Sequence, residues 1–184
     1  MPDEFETLLS AMKTAAAVLR DNEIPFALAG GLAVYAHGGP PTEHDVDFLL
    51  NESDADRALE LLAAAGFRPE RPPEGWLYKA FYDGSMIDLI FAPNGKPECV
   101  PEILERAREI EVHAITLPVM TVTDVLATKL LTLKEHEVDY ADVIEIARTT
   151  REQVDWDYLR ERTEMSPYAK AFFTLADELG LATA

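Results

Sequence analysis

The segment from Leu28 to Leu50 is LAGGLAVYAHGGPPTEHDVDFLL. Its last six residues, DVDFLL, alternate so that a predicted β-strand places apolar side chains on one face and Asp45 and Asp47 on the other. Side chains two positions apart on a strand stand about 7 Å apart. Such a like-charge pair raises the pKa of one carboxyl group or requires a cation beside it. Magnesium suits this position, because it prefers oxygen ligands and takes one or two carboxylates.

A third carboxylate occupies a predicted strand farther along the chain. Asp88 interrupts the apolar run MIDLIF, residues 86–91. A buried charge is costly without a partner. Hydrogen-bond donors in the core can be that partner, which would make Asp88 a structural carboxylate. The other possible partner is a shared metal: if the two strands are neighbours, Asp45, Asp47 and Asp88 converge on one site.

The glycine pair Gly30-Gly31 lies between a short predicted strand and a predicted helix. A Gly-Gly pair in this position is often only a turn. It can also expose backbone N–H groups at a helix N-terminus, which favours anions. Together with the aspartates, it indicates a phosphoryl-transfer site for a metal-bound nucleoside triphosphate. Two metal ions about 4 Å apart would activate an attacking hydroxyl and stabilise the departing pyrophosphate.

The charge of the chain narrows the class of partner. The 184 residues include 16 Lys and Arg against 34 Asp and Glu, a net charge of −18. This balance disfavours nucleic-acid backbones and anionic membranes, because both are bound mainly through Lys and Arg. It favours cationic small molecules or basic protein surfaces. The oligomeric state does not follow from these features.

The cysteine content and the N-terminus indicate a cytoplasmic protein. Cys99 is the only cysteine, so neither an intrachain disulfide nor a thiolate cluster can form. The N-terminal sequence MPDEFETLL is acidic and lacks the apolar core of a signal peptide. No run approaches the roughly 18 apolar residues of a membrane span.

The order of predicted elements indicates an α+β fold, with a small mixed β-sheet flanked by helices and followed by a helical C-terminal part. We expect an α/β core over residues 1–122 and a helical region over residues 123–184. The tight turn at Asp83-Gly84 predicts a hairpin. Helix caps are predicted at Ser53 or Asp54 and at Thr123. The other predicted elements are a helix over 3–20, strands over 24–29, 45–50, 76–82, 85–91 and 112–119, a loop over 68–75 and a helix over 101–110.

These motifs resemble the DNA polymerase β-type nucleotidyltransferase superfamily. The resemblance rests on Gly30-Gly31, thirteen intervening residues, Asp45-Val46-Asp47 and a later Asp88 in an apolar strand. It is strongest to minimal members, namely the antibiotic nucleotidyltransferases and the abortive-infection toxin nucleotidyltransferases. The toxin-like branch also carries a helical Lys-Leu followed by Asp-x-x-Asp, matched here by Lys129-Leu130 and by residues 139–142. The similarity spans residues 22–148.

The resemblance implies roles for individual residues. Asp45, Asp47 and Asp88 would bind two magnesium ions, and Asp88 would help to deprotonate the acceptor hydroxyl. The nucleotide would be contacted by Gly30, Gly31, Thr42 and Lys129. His44 could touch the nucleotide or the acceptor, and Asp139 and Asp142 could orient Lys129 or the acceptor. Ordinary surface roles remain open for Lys129, His44, Asp139 and Asp142.

Three positions depart from the wider pattern and remove a hydroxyl and two cationic groups. Gly31 replaces a frequent serine, Pro41 replaces an arginine, and His136 replaces the arginine of the toxin-like branch. The leading hypothesis is an enzyme that moves an NMP group from Mg-NTP to a hydroxyl of a small molecule or protein. The alternatives are a weak or inactive module that acts through a protein partner, and a toxin-like enzyme that acts on tRNA. The last would need a basic patch, for which the candidates are Arg151, Arg160, Arg162 and Lys170.

Overall fold

A seven-stranded mixed sheet forms the centre of the molecule, in the order β3-β4-β5-β2-β1-β7-β6. The computed structural model describes residues 4–41 and 45–182. The strands are β1 (Phe26–Leu28), β2 (Val46–Leu50), β3 (Arg68–Glu70), β4 (Leu77–Tyr82), β5 (Ser85–Ile90), β6 (Arg108–Val112) and β7 (Ile115–Val119). The predicted α+β class with a mixed sheet is confirmed.

Two parallel pairings lie at the middle of this sheet. β2 runs parallel to β5, and β1 runs parallel to β7. The pairs β1–β2, β3–β4, β4–β5 and β6–β7 are antiparallel. The β2–β5 pairing matters most for function, because it places the strand that carries Asp47 directly beside the strand that carries Asp88.

Helices cover the sheet and continue beyond it. They are α1 (Glu4–Asp21), α2 (Gly30–Ala36), α3 (Glu52–Ala64), α4 (Val100–Arg106), α5 (Val122–Thr132), α6 (Ala141–Thr150), α7 (Trp156–Arg162) and α8 (Pro167–Glu178). Short 3-10 turns span Pro93–Gly95, Pro97–Cys99 and Arg151–Gln153. The apolar face of α1 is buried and packs on α3 and β5, as its helical spacing predicts. α5 packs against α2, α6, α7 and α8, so it joins the C-terminal helices to α2, which itself packs on β2.

The sequence-based prediction is wrong at two strands. The predicted loop over 68–75 contains β3, which pairs with β4. The predicted helix over 101–110 ends at Arg106, because Ala107 has extended backbone angles and β6 follows. β6 forms a hairpin with β7 through His113 and Ala114, whose φ angles of 46° and 67° fit a two-residue turn between twisted strands.

The starts of two helices also differ from the prediction. Thr121, not Thr123, caps α5, because its hydroxyl oxygen accepts the backbone N–H of Asp124 at 3.1 Å. The Thr123 hydroxyl instead accepts the backbone N–H of Asp155 and ties α5 to the start of α7. α3 begins after Asn51, so both residues predicted as its cap lie inside the helix.

The helical part of the chain after β7 begins at α5, and the division of the chain at residue 122 stays a prediction. Within residues 4–41 and 45–182, no helix combines the length and apolar character needed to cross a membrane.

Candidate active site

Three carboxylates meet where β2 and β5 lie side by side. Asp47 on β2 is in register with Asp88 on β5, and Asp45 directly precedes β2. One oxygen from each carboxylate lies within 4.8 Å of the other two. We call Asp45, Asp47 and Asp88 the acidic triad. The structure thus brings together the residues that the sequence singled out on two separate strands.

Gly30 lies against the acidic triad. The backbone N–H of Ala29 donates to the carbonyl oxygen of Asp47 at 2.8 Å, which fixes the turn after β1 beside β2. Gly30 has a φ of +56°, and a Cβ atom built on it would lie 1.8 Å from Asp47 Oδ2. Both the left-handed backbone and the close carboxylate exclude a side chain here. The Gly-Gly motif and the acidic triad therefore form one structural unit.

Lys79 is a charged neighbour of the acidic triad that the sequence analysis did not assign to the site. It lies opposite Asp88 in the β4–β5 hairpin, and its ammonium donates to both carboxylate oxygens at 2.9 and 3.0 Å. The side chain of Lys79 is 24% exposed and that of Asp88 is 9% exposed. The Asp88 carboxylate is thus buried and the Lys79 side chain half-buried, so this ion pair is less exposed to water than a surface salt bridge.

The electrostatics of the acidic triad favour an added cation. Burial, the charge of Asp45 and the charge of Asp88 raise the pKa of Asp47 to about 7, against the opposing effect of Lys129 and Lys79. Burial also raises the pKa of Asp88, while its hydrogen bond from Lys79 acts in the opposite direction. Clustered oxygen ligands with an excess of negative charge fit a divalent metal ion such as magnesium.

The raised pKa of Asp47 predicts a pH-dependent cost to the fold. The folded protein keeps this proton up to about pH 7, whereas an unfolded aspartate loses it near pH 3.9. Asp47 therefore lowers the free energy of unfolding progressively as the pH rises through this interval. Without divalent metal, we expect Asp47→Asn to stabilise the protein at pH 8 by about 1–2 kcal/mol and by much less at pH 4.5.

Urea unfolding of both proteins at the two pH values measures this difference. Asp83→Asn is the matched control, because Asp83 is exposed in the hairpin turn and asparagine tolerates its φ of 47°. A stabilisation by Asp47→Asn that is equal at both pH values would contradict the electrostatic explanation.

A cleft of about 630 Å³ opens beside the acidic triad. We call it the central cleft; it is lined by Ala29, Gly30, Asp47, Leu49, Trp76, Ile90, Pro93, Asn94, Gly95, Met120, Val125, Thr128, Lys129, Leu131, Thr132 and Lys134. Residues of the sheet and of α5 both line it. Asp47 and Lys129 are among them, so the cleft offers a carboxylate and an ammonium group to one ligand.

The other predicted site residues are Lys129, Asp142, Asp139, Thr42 and His44. Lys129 donates to the carboxylate of Asp142 at 3.1 Å, so these two are partners. Asp139 accepts the backbone N–H of Ala141 at 2.9 Å and thereby shapes the start of α6. Thr42 and His44 lie outside the described residues.

Comparisons with known proteins identify relatives of this chain. The profile of a family described as uncharacterised nucleotidyltransferase matches residues 6–177. No curated protein matches the sequence. The family match covers both the sheet and the C-terminal helices, so it includes every described residue of the candidate site.

Solved structures share the fold at low sequence identity. The crystal structure of ANT(2'')-Ia in complex with adenylyl-2''-tobramycin has a TM-score of 0.66 and 12% identity, covering 90% of this chain and 99% of that one. The solution structure of the same antibiotic-resistance factor has a TM-score of 0.63 and 14% identity, covering 95% of this chain and 96% of that one. The crystal structure of an antigenic nucleotidyltransferase-like protein from Paracoccidioides brasiliensis has a TM-score of 0.53 and 20% identity, covering 79% of this chain and 76% of that one. At these identities the similarity shows the fold alone.

Proposed function

The chain belongs to this family of uncharacterised nucleotidyltransferases, and we propose that it transfers an NMP group from Mg-NTP to an acceptor hydroxyl with release of pyrophosphate. The observation that carries the proposal is the acidic triad, in which one carboxylate oxygen of each residue lies within 4.8 Å of the other two, and whose member Asp47 lines the central cleft. Metal-dependent phosphoryl transfer needs such clustered oxygen ligands beside a space for the nucleotide.

The residues of the acidic triad divide the work in this proposal. Asp45 and Asp47 would hold magnesium, and Asp88 would hold the catalytic magnesium and accept the proton of the acceptor hydroxyl. When bound, the metal ions supply charge neutralisation at the reacting phosphate and at the leaving pyrophosphate. Gly30 and Gly31 present backbone to the triphosphate. Contacts of Thr42 and His44 with the nucleotide remain predictions from the sequence.

Lys129 is proposed to neutralise part of the triphosphate charge. It lines the central cleft, and its charge acts on Asp47. A hydrogen bond to a charged group contributes about 1.5–3 kcal/mol. We therefore expect Lys129→Met to weaken binding of Mg-NTP by about tenfold or more.

Calorimetric titration with Mg-NTP measures this loss. Lys170→Met removes the same charge from an exposed position on α8 and should leave the affinity unchanged. Equal affinities of Lys129→Met and the wild type would exclude Lys129 from the nucleotide site.

The charge of the protein favours a cationic acceptor. A net charge of −18 attracts amine-bearing small molecules or basic protein segments and repels tRNA. The complex of ANT(2'')-Ia holds adenylyl-2''-tobramycin, a nucleotidylated small molecule, on the same fold. The basic patch that a tRNA acceptor would need is weakened, because Arg160 pairs with Asp177 at 2.6 Å. A small molecule or a protein hydroxyl is therefore the proposed acceptor.

A label-transfer screen tests the proposed reaction. NTPs labelled at the α-phosphate are incubated with the protein, magnesium and three acceptor pools: polyamine-like and amino-sugar small molecules, basic proteins, and tRNA. The proposal expects label in the first or second pool, an added mass of one NMP on the product, and no label with Asp88→Asn. Label in the tRNA pool alone would support the toxin-like alternative.

A second candidate is a weak or inactive module that acts through a protein partner. Two features favour it: by the family resemblance Pro41 stands in place of an arginine, and Lys79 already neutralises Asp88. Binding of Mg-NTP without label in any pool would favour this candidate over the enzyme.

A further inference from the structure

Lys79 occupies one side of the acidic triad as an internal cation. Its ammonium contacts both oxygens of Asp88, at 2.9 and 3.0 Å. A metal ion bound by Asp88 would use the same oxygens, and two cations on one carboxylate repel each other at close range. The ion pair and a metal at Asp88 therefore compete for one carboxylate.

The surroundings of Lys79 determine when Asp88 can exchange this ion pair for a metal ion. Besides Asp88, the Lys79 ammonium contacts the sulfur of Met86 at 3.4 Å. A thioether sulfur is only a weak hydrogen-bond acceptor. With a side-chain exposure of 24%, the ammonium is also partly withdrawn from water. Releasing Asp88 to a metal leaves Lys79 poorly solvated unless another anion is present. A triphosphate held through metal at the acidic triad would bring such an anion close, because the ammonium already lies 2.9 Å from an oxygen of Asp88.

We propose that Lys79 is a positioning residue that opposes metal binding at Asp88 until a nucleotide arrives. The inference rests on the proposed function, since it assumes that Asp88 is a metal ligand in the nucleotide-bound protein. In the free protein, Lys79 holds Asp88 in place and keeps metal affinity low. In the nucleotide complex, the ammonium would turn from Asp88 to phosphate oxygens, which would free the Asp88 carboxylate to hold a metal ion. Binding of the metal and binding of the nucleotide are therefore cooperative, because each raises the affinity of the protein for the other.

Binding of Mn²⁺ in the absence of nucleotide tests this role without any activity measurement. The variants are Lys79→Met, which keeps the apolar stem, and Lys79→Gln, which keeps a donor toward Asp88 without the charge. Removing one positive charge a few ångströms from the metal should tighten Mn²⁺ binding by about tenfold or more in both variants. Lys170→Met is the control for a general change in net charge and should match the wild type.

A second titration, of Mn²⁺ in the presence of a non-hydrolysable NTP analogue, completes the test. Because Lys79 then contacts phosphate, the advantage of the variants over the wild type should disappear or reverse. Unchanged Mn²⁺ affinity in both Lys79 variants would overturn the inference, and so would an advantage that the analogue leaves intact.

The two proposals fail in different ways. If the wild type binds the analogue only with Mn²⁺ while the Lys79 variants show no tighter Mn²⁺ binding, the role of Lys79 fails and the proposed function stands. If neither the wild type nor any variant binds Mn²⁺ with or without the analogue, both fail. A structural role for Lys79 alone would change the unfolding midpoint of the variants but not their metal affinity.

Discussion

Asp88→Asn is expected to lower the rate of NMP transfer by about a thousandfold, because it removes both a metal ligand and the proposed proton acceptor. Asparagine keeps the shape of the side chain and can still accept a hydrogen bond from Lys79. Asp45 and Asp47 remain in place, so the affinity for Mg-NTP should fall much less than the rate. Single-turnover transfer of a labelled NMP group measures the rate, and calorimetry measures the affinity.

The control for this prediction is Asp83→Asn, the same chemical change in the exposed turn of the same hairpin. It should retain the wild-type rate. A rate for Asp88→Asn within tenfold of the wild type would remove Asp88 from the chemistry and leave it a structural carboxylate.

Gly30→Ala is expected to weaken metal-dependent nucleotide binding strongly. A Cβ atom at this position would lie 1.8 Å from Asp47 Oδ2, so the carboxylate must leave its place in the acidic triad. The left-handed φ of +56° adds strain of about 1 kcal/mol or more. We expect the affinity for Mg-NTP to fall by about a hundredfold, because a shifted Asp47 loses a charge-assisted metal contact.

Gly66→Ala separates the effect of backbone strain from the effect of displacing Asp47. Gly66 also has a positive φ, of +97°, but a Cβ atom there would meet nothing within 4 Å. Both variants should lose stability in urea unfolding, and only Gly30→Ala should bind the nucleotide more weakly. Wild-type affinity in a folded Gly30→Ala protein would show that the position of Asp47 does not matter for the nucleotide.

Part of the candidate site follows from the sequence by local rules. The Asp83-Gly84 turn predicts a two-residue hairpin, and the structure pairs Tyr82 with Ser85. Counting back along this register places Lys79 opposite Asp88. The partner of Asp88 could therefore be predicted from the turn, because Lys79 lies in the predicted strand over 76–82.

Other parts required the tertiary structure. The sequence alone gives no reason for β2 to lie beside β5, since the two strands are separated by α3, β3 and β4. Only the family resemblance suggested that pairing. The close approach of Gly30 to Asp47 likewise depends on how β1 pairs with β2, which no short-range pattern specifies.

The missed edge strands have a common physical cause. The residues of β3 are exposed, and in β6 only Val112 is buried and Ile110 half-buried. Such strands bury little apolar surface, so the alternation that marks a half-buried strand is weak in their sequences. They are held mainly by backbone pairing with β4 and β7, which the sequence does not display.

The most direct test of the account is a calorimetric titration of ATP, GTP, CTP and UTP, each with and without magnesium, into the wild type and the double variant Asp45→Asn/Asp47→Asn. The account predicts that at least one NTP binds the wild type only with magnesium, and that the folded double variant loses this binding. Failure of all four NTPs to bind a folded wild type, or equal binding by the double variant, would contradict the assignment of the acidic triad as a metal–triphosphate site.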